Sequence, residues 1–271
     1  MEQARDEWVR MSTTTWGAGA YPLMAERLGA AAEAVVDRAE VQPGERVVDI
    51  ATGTGNAALL AAARGAEVVG VDFEATLLNI AGRRAAEAGL DVRWETADVA
   101  TLPIPDHWAD AVLSVFGVMY AADHDAAARE VARCAAPDAR VVLAAWVPGS
   151  FMPAMGAALS TLLPPPPPSS GPPSRWGDPD ALDALLTSAS LRVTSNSIEE
   201  LSMTFAGSGE ATDFLVRTAG HVVSEQVRLT AADRWNDLLT TVQDLVEARS
   251  HRAGGQIRLD FEYLLSTAKP A

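Results

Sequence analysis

The chain has 271 residues, 48% of them hydrophobic, enough to build one large core or a core with an inserted cap. Its formal charge of −15 repels nucleic acid and anionic membrane surfaces, so neither is an expected partner. One cysteine, Cys134, leaves no intrachain disulfide and no cysteine-rich zinc site, and no metal is expected.

The single lysine, Lys269, removes further chemistries. None is left for a Walker loop, for a Schiff base, or for a Tyr-x-x-x-Lys pair of the dehydrogenase type. No apolar run reaches the ~20 residues of a membrane span. The opening "MEQARDEWVR" lacks the apolar segment of a signal peptide, so a cytoplasmic location is expected.

In chain order, residues 21–39 carry Leu28, Ala32, Val35, Val36 and Ala39 at helical spacing, and Pro43-Gly44 turns the chain. Strands are predicted over 46–51, 67–71, 91–95, 109–115 and 140–146. Helices are predicted over 56–63, 75–88 (closed by Gly89) and 125–135. This alternation with short loops predicts an α/β fold with a parallel, doubly wound sheet covered on both faces.

After Trp146 the pattern changes. Residues 151–163 read as a helix, and Pro164–Pro173 as an extended connector or a lip over a pocket. A helix over 178–188 and a strand over 191–200 follow. Residues 202–250 read as two helices inserted between the last two strands, with an apolar stripe of Trp235, Leu238, Leu239, Val242, Leu245 and Val246. Ile257, Leu259, Phe261 and Tyr263 then alternate as a strand. The expected division is a helical segment 1–40 closing over the ligand, a binding core 41–150, a substrate lid and cap 151–250 with one core strand near 191–200, and a final strand and tail 251–271.

The chemistry concentrates in "VVDIATGTGNAALLAAARGAEVVGVDF", Val47–Phe73. A helix N-terminus offers free N–H groups, and Gly53 and Gly55 allow a ligand close to the backbone. Asp72 ends the second strand, where a carboxylate can take both hydroxyls of a ribose. Asp49 discriminates among adenosine ligands. A carboxylate just before the turn repels a pyrophosphate and welcomes an ammonium and a sulfonium, as in S-adenosylmethionine.

At these residues the sequence resembles class I S-adenosylmethionine-dependent methyltransferases. "VVDIATGTGN" is similar to their acid-x-Gly-x-Gly-x-Gly motif, with Ala51 in place of the first glycine. "GVDF", "ETADVATLPIPDHWADAVLSVFGVMY" and "LAAW" resemble the later motifs, and "PPSRWGDPDAL" resembles the cap. The nearest group is the small-molecule enzymes related to ubiquinone and menaquinone biosynthesis, over residues 41–146. No Asn/Asp-Pro-Pro-Tyr sequence of nucleic-acid amino-methyltransferases is present.

The resemblance implies a mostly parallel, seven-stranded Rossmann-like sheet with a helical lid before the last strand. It implies that Asp49, Ala51, Gly53 and Gly55 hold the methionine part, with Asn56 opening the helix. Asp72 would take the ribose, Phe73 would pack on the adenine, and Asp98 beside Val99 would take the adenine amino group. Ser114 and Phe116 would line the sulfonium side, and Tyr21 with Trp16 would close over the cofactor.

His124, after the fourth strand, is the candidate base if the acceptor starts protonated; the rival reading is a helix cap. Candidate pocket walls are Met119, Tyr120, Trp146, Met152, Met203 and Phe205, which suit a flat, largely apolar or aromatic metabolite. Two alternatives stay open: a nicotinamide-dependent oxidoreductase on Gly53-Thr54-Gly55, and a methyltransferase fold that binds the cofactor without methylating. The oligomeric state is also open, a homodimer among the alternatives.

Overall fold

The computed structural model describes residues 16–165 and 169–271. Expectations for residues 1–15 and for the middle of the proline run lie outside the described residues. The described chain divides into two compact units. One comprises 28–147, 169–199 and 263–271, and the other 16–27, 148–165 and 200–262.

The first unit carries the parallel sheet. Its strands are β1 (Arg46–Ile50), β2 (Glu67–Asp72), β3 (Arg93–Thr96), β4 (Ala109–Val115) and β5 (Ala135–Trp146). Runs such as Val47-Val48 and Val68-Val69 are β-branched and buried on both faces, as a covered parallel sheet requires. The sheet order is β3-β2-β1-β4-β5-β8-β6, with β6 spanning Leu191–Phe205 and β8 spanning Gln256–Pro270. The pairs β1–β2, β1–β4, β2–β3 and β4–β5 are parallel, and β8 runs antiparallel to β5. The chain builds outward from β1 to β3 and then returns to β4 on the other side of β1. Ligands of such sheets bind outside the strand C-termini at this reversal.

Helices of this unit are α1 (Gly29–Arg38), α2 (Asn56–Ala63), α3 (Ala75–Ala88), α4 (His124–Cys134) and α5 (Pro179–Ser188). Local chemistry sets their ends. Glu74, Asp123 and Asp178 cap α3, α4 and α5 by accepting backbone N–H groups of the first turn. Gly89 closes α3 with a φ of 65°. Cys134 is buried at the end of α4, and burial pushes its thiol up to about 12, so it is an inert packed thiol.

The second unit is mostly helical: Tyr21–Arg27, Phe151–Leu159, Ser208–Thr218, Gly220–Val223, Gln226–Ala231 and Trp235–Arg249. Here the structure corrects the sequence reading. Four helical segments, not two, lie between β6 and the final hairpin. Extended Ala219 and left-handed Asp233 (φ 54°) interrupt a run whose apolar periodicity reads as continuous. β6 also extends five residues further than predicted, so Met203 and Phe205 are strand residues, both buried. Phe205 packs on Phe214 at 5.5 Å between centroids, and the Arg27 guanidinium lies 5.5 Å from one ring centroid and 5.6 Å from the other. A short strand β7 (His251–Ala253) pairs with the start of β8.

Trp94, on β3, was not singled out from the sequence, yet it organises the sheet face under α2 and α3. A Cβ on Gly70 would lie 2.4 Å from its ring, and one on Gly55 2.8 Å from it. Gly70→Ala is therefore expected to cost about 1–3 kcal/mol in urea unfolding, the usual price of overpacking. Adding Trp94→Leu should recover part of that loss. Simple additivity of the two substitutions would show that they do not meet.

Candidate cofactor site

β1 ends at Ile50 and the chain enters the loop 51–55. Ala51, where the resembled motif has glycine, sits at φ 53°. That conformation costs an L-residue roughly 1–2 kcal/mol. At the end of β4, Phe116 is also left-handed, at φ 57°. A Cβ on the next residue, Gly117, would lie 2.4 Å from the Ala51 Cβ. Two strained positions thus meet where β1 and β4 open the crevice, as strain often does at functional sites. Gly55 (φ 85°) precedes α2, and its bare Cα faces Trp94 and Ala81. Packing alone therefore requires this glycine, whatever the ligand.

Asp49 is buried, and its Oδ2 accepts both the Thr52 hydroxyl at 2.5 Å and the Ala58 N–H at 3.1 Å. One oxygen so fixes the loop and caps the first turn of α2. Asp72 is also buried, with Oδ2 accepting from Gly53 N and Oδ1 from Glu74 N, each at 2.8 Å. Desolvation pushes the Asp49 carboxyl up to about 7 against its two hydrogen bonds, with the Asp72 charge adding to the rise. Desolvation likewise pushes Asp72 up to about 6.

Glu74 is a third buried acid, missed from the sequence. Its Oε1 accepts from Thr76 N at 3.3 Å, and its Oε2 has no partner. An acid in the cap position before α3 was the available signal. Among the described residues, none of the three acids has an ion-pair partner. The nearby Arg84 is taken up by the Thr54 carbonyl, the Thr54 hydroxyl and Asn56 Oδ1. Such a site favours a ligand rich in hydrogen-bond donors and positive charge.

The remaining expected residues fall as follows. Asn56 opens α2, held by Arg84. Phe73 is half-buried beside Asp72. Asp98 is half-buried and folds its own turn by accepting from Ala100 N at 2.8 Å, next to buried Val99. Ser114 has no exposure and spends its hydroxyl on the framework, donating to the Ile50 carbonyl and accepting from Val118 N. The Phe116 ring stacks on Trp146 at 3.6 Å and 7°, with Tyr263 edge-on to both. Tyr21 opens the first helix of the second unit.

His124 is the first residue of α4, and the cap is Asp123. The imidazole is buried and meets Trp176 edge-on at 5.9 Å. Burial, and then the Arg175 charge, hold it below the usual histidine range against the pull of Asp125 and Asp123. It is therefore neutral at pH 7, the form a base needs.

The acids link stability to pH. Asp49 and Asp72 hold protons more tightly folded than unfolded, because burial lifts both above the ordinary aspartate value. Their contribution to the stability of the ligand-free protein should thus be full below about 4 and be lost as pH rises from there to about 6 for Asp72 and about 7 for Asp49. Asp49→Asn keeps an acceptor for Thr52 and Ala58 without the charge. Its melting temperature is expected to fall less than the wild type's over that window; an equal fall would remove Asp49 from the linkage.

Residues 47–138 match the family model described as a methyltransferase domain. An uncharacterized Mycobacterium tuberculosis protein is 38% identical over 163 residues, 60% of this chain and 60% of that protein. A Thermus thermophilus demethylmenaquinone methyltransferase is 44% identical over 115 residues, 42% of this chain and 52% of that one. The chain thus spans about 60% or less of the length of these relatives. Among solved structures, a Haemonchus contortus phosphoethanolamine N-methyltransferase in complex with S-adenosylhomocysteine has a TM-score of 0.55 at 15% identity, covering 89% of this chain and 53% of that one. The resemblance to class I S-adenosylmethionine-dependent methyltransferases is borne out: residues 47–138 match a methyltransferase domain, and the mostly parallel α/β sheet around them has the Rossmann-like fold of that class.

Proposed function

We propose that the protein binds S-adenosylmethionine in the crevice at the ends of β1, β2 and β4, and transfers its methyl group to a small, largely apolar or aromatic acceptor. The observation that carries this reading is the set of three buried carboxylates, Asp49, Asp72 and Glu74, around the glycine loop with no ion-pair partner among the described residues. Sulfonium, ammonium, ribose hydroxyls and an adenine amino group together supply the charge and donors that such a site lacks. A dinucleotide would bring a pyrophosphate beside Asp49, and like charges in a dry site repel strongly.

When bound, the cofactor supplies a methyl group on positively charged sulfur. The chain's own residues divide the remaining work. Asp49 faces the charged methionine end, Asp72 takes the ribose hydroxyls, and Asp98 serves the adenine amino group. Ala51, Gly53 and Asn56 shape the loop around the methionine part, and Phe73 and Val99 offer apolar surface to the adenine. The stacked Phe116 and Trp146 supply a flat apolar wall, and neutral His124 accepts a proton where the acceptor carries one. The name of the Thermus relative points to a quinone-like acceptor, which suits such a wall.

Calorimetry tests the cofactor. S-adenosylmethionine and S-adenosylhomocysteine are expected to bind, and NAD and NADP to give no heat; the reverse pattern would overturn the reading. In Asp72→Ala the ribose loses a charged acceptor. Charge-assisted bonds are worth about 1.5–3 kcal/mol each, so affinity is expected to drop at least tenfold in a folded variant. Release of S-adenosylhomocysteine across phenolic and quinol acceptors then separates methyl transfer from binding without transfer.

A further inference from the structure

The segment following the proline run straps the turn between β4 and α4. Ser170 N donates to the Ala122 carbonyl at 2.9 Å, and Ser170 Oγ accepts from His124 N at 2.6 Å. Arg175 forks onto the Asp125 carboxylate with two bonds of 3.0 Å. Gly171 lies over the imidazole: a Cβ there would sit 3.4 Å from His124 Nδ1. Gly177 lies so close to the end of β5 that a Cβ would meet the Trp146 carbonyl oxygen at 1.9 Å. Both glycines are thus needed to bring Trp176 down onto His124.

This strap buries two polar atoms and satisfies neither. His124 Nδ1 and Trp176 Nε1 both lack a hydrogen-bond partner, on side chains only 1% exposed. Native proteins rarely leave such atoms unpaired, and each orphan costs about 1–3 kcal/mol. Here two orphans belong to rings in direct contact, 5.9 Å between centroids at 66°. They are also of opposite kind. The indole N–H only donates. Burial holds the imidazole neutral, so one of its two nitrogens is an acceptor, and the unpartnered Nδ1 is open to that role.

We propose that His124 Nδ1 and Trp176 Nε1 together form the polar end of the acceptor pocket, and that they select a weakly acidic hydroxyl, a phenol or enol, as the group methylated. This rests on the methyl-transfer reading above. Between a hydroxyl oxygen and an amine nitrogen, the pair decides by counting lone pairs. The reacting atom accepts from Trp176 N–H, donates its hydrogen to His124 Nδ1, and must keep one more lone pair for the methyl carbon. A hydroxyl oxygen has two lone pairs and a hydrogen. A neutral amine nitrogen has one lone pair, already spent on the indole. In the transfer the hydroxyl oxygen gains the methyl group, its proton passes to Nδ1, and the carbon–sulfur bonding pair stays with the sulfur of the sulfonium donor. Trp176 holds the oxygen, and His124 takes the proton.

The test reads the two nitrogens directly. Uniformly ¹⁵N-labelled protein, alone and with S-adenosylhomocysteine, is titrated with 2-naphthol and with 2-naphthylamine, matched in shape. The Trp176 indole cross-peak is identified by its loss in Trp176→Phe, with triple-resonance assignment should that variant fail to fold. Both probes are expected to move the Trp176 indole and His124 Nδ1 resonances, and only the naphthol to be methylated when S-adenosylmethionine replaces S-adenosylhomocysteine. Unmoved resonances with the naphthol, as for a pair bridged by a fixed water, would overturn the proposal, and so would equal methylation of both probes. Failure of S-adenosylhomocysteine to bind in calorimetry would instead strike the methyl-transfer reading, while the titration of the free protein still reports on the pair.

Discussion

The structure turns on one desolvated oxygen. Asp49 Oδ2 sits at the end of the central strand β1 and accepts from both the Thr52 side chain and the Ala58 backbone. It therefore fixes the loop, its approach to β2 and the start of α2 at once. Asp72 does the matching work from β2 by holding Gly53 N and Glu74 N, so the loop is tied to both strands and to the cap of α3. The carboxylates that would recognise a ligand are thus the ones that build its cradle. Burial raises both toward neutral pH, and a cationic ligand would restore their charge.

Around this centre the framework absorbs strain. Ala51 and Phe116 both take left-handed conformations that cost non-glycine residues energy, and they meet through Gly117. The stacking of Phe116 on Trp146 and the two hydrogen bonds of Ser114 hold the end of β4 in that shape. Ser114 spends its hydroxyl on bracing this backbone. On the other flank, Trp94 fills the space over Gly55 and Gly70, so the glycines of the motif answer to packing as well as to a ligand.

The strap at 169–178 uses the same economy. Its ion pair, Arg175 with Asp125, lies at the surface, where such pairs contribute little, about 0–1 kcal/mol. What makes it specific is the close approach allowed by Gly171 and Gly177. That approach buries His124 and Trp176 against each other and leaves a donor and an acceptor unpaired.

The sequence by itself determined the alternation of strands and helices through β5, the glycine stop after α3, the acids at the ends of β1 and β2, and the position of His124 after β4. These are local properties: hydrophobic period, turn chemistry and cap residues act over a few neighbours along the chain. Tertiary structure decided the rest. Four helical segments replace two because backbone breaks at Ala219 and Asp233 leave no mark in apolar periodicity. Glu74 and Trp94 matter through what they meet across the sheet, at separations no spacing rule encodes. The pairing of His124 with Trp176 joins residues 52 positions apart, numbered 124 and 176, through two glycines whose only signature is the absence of a side chain.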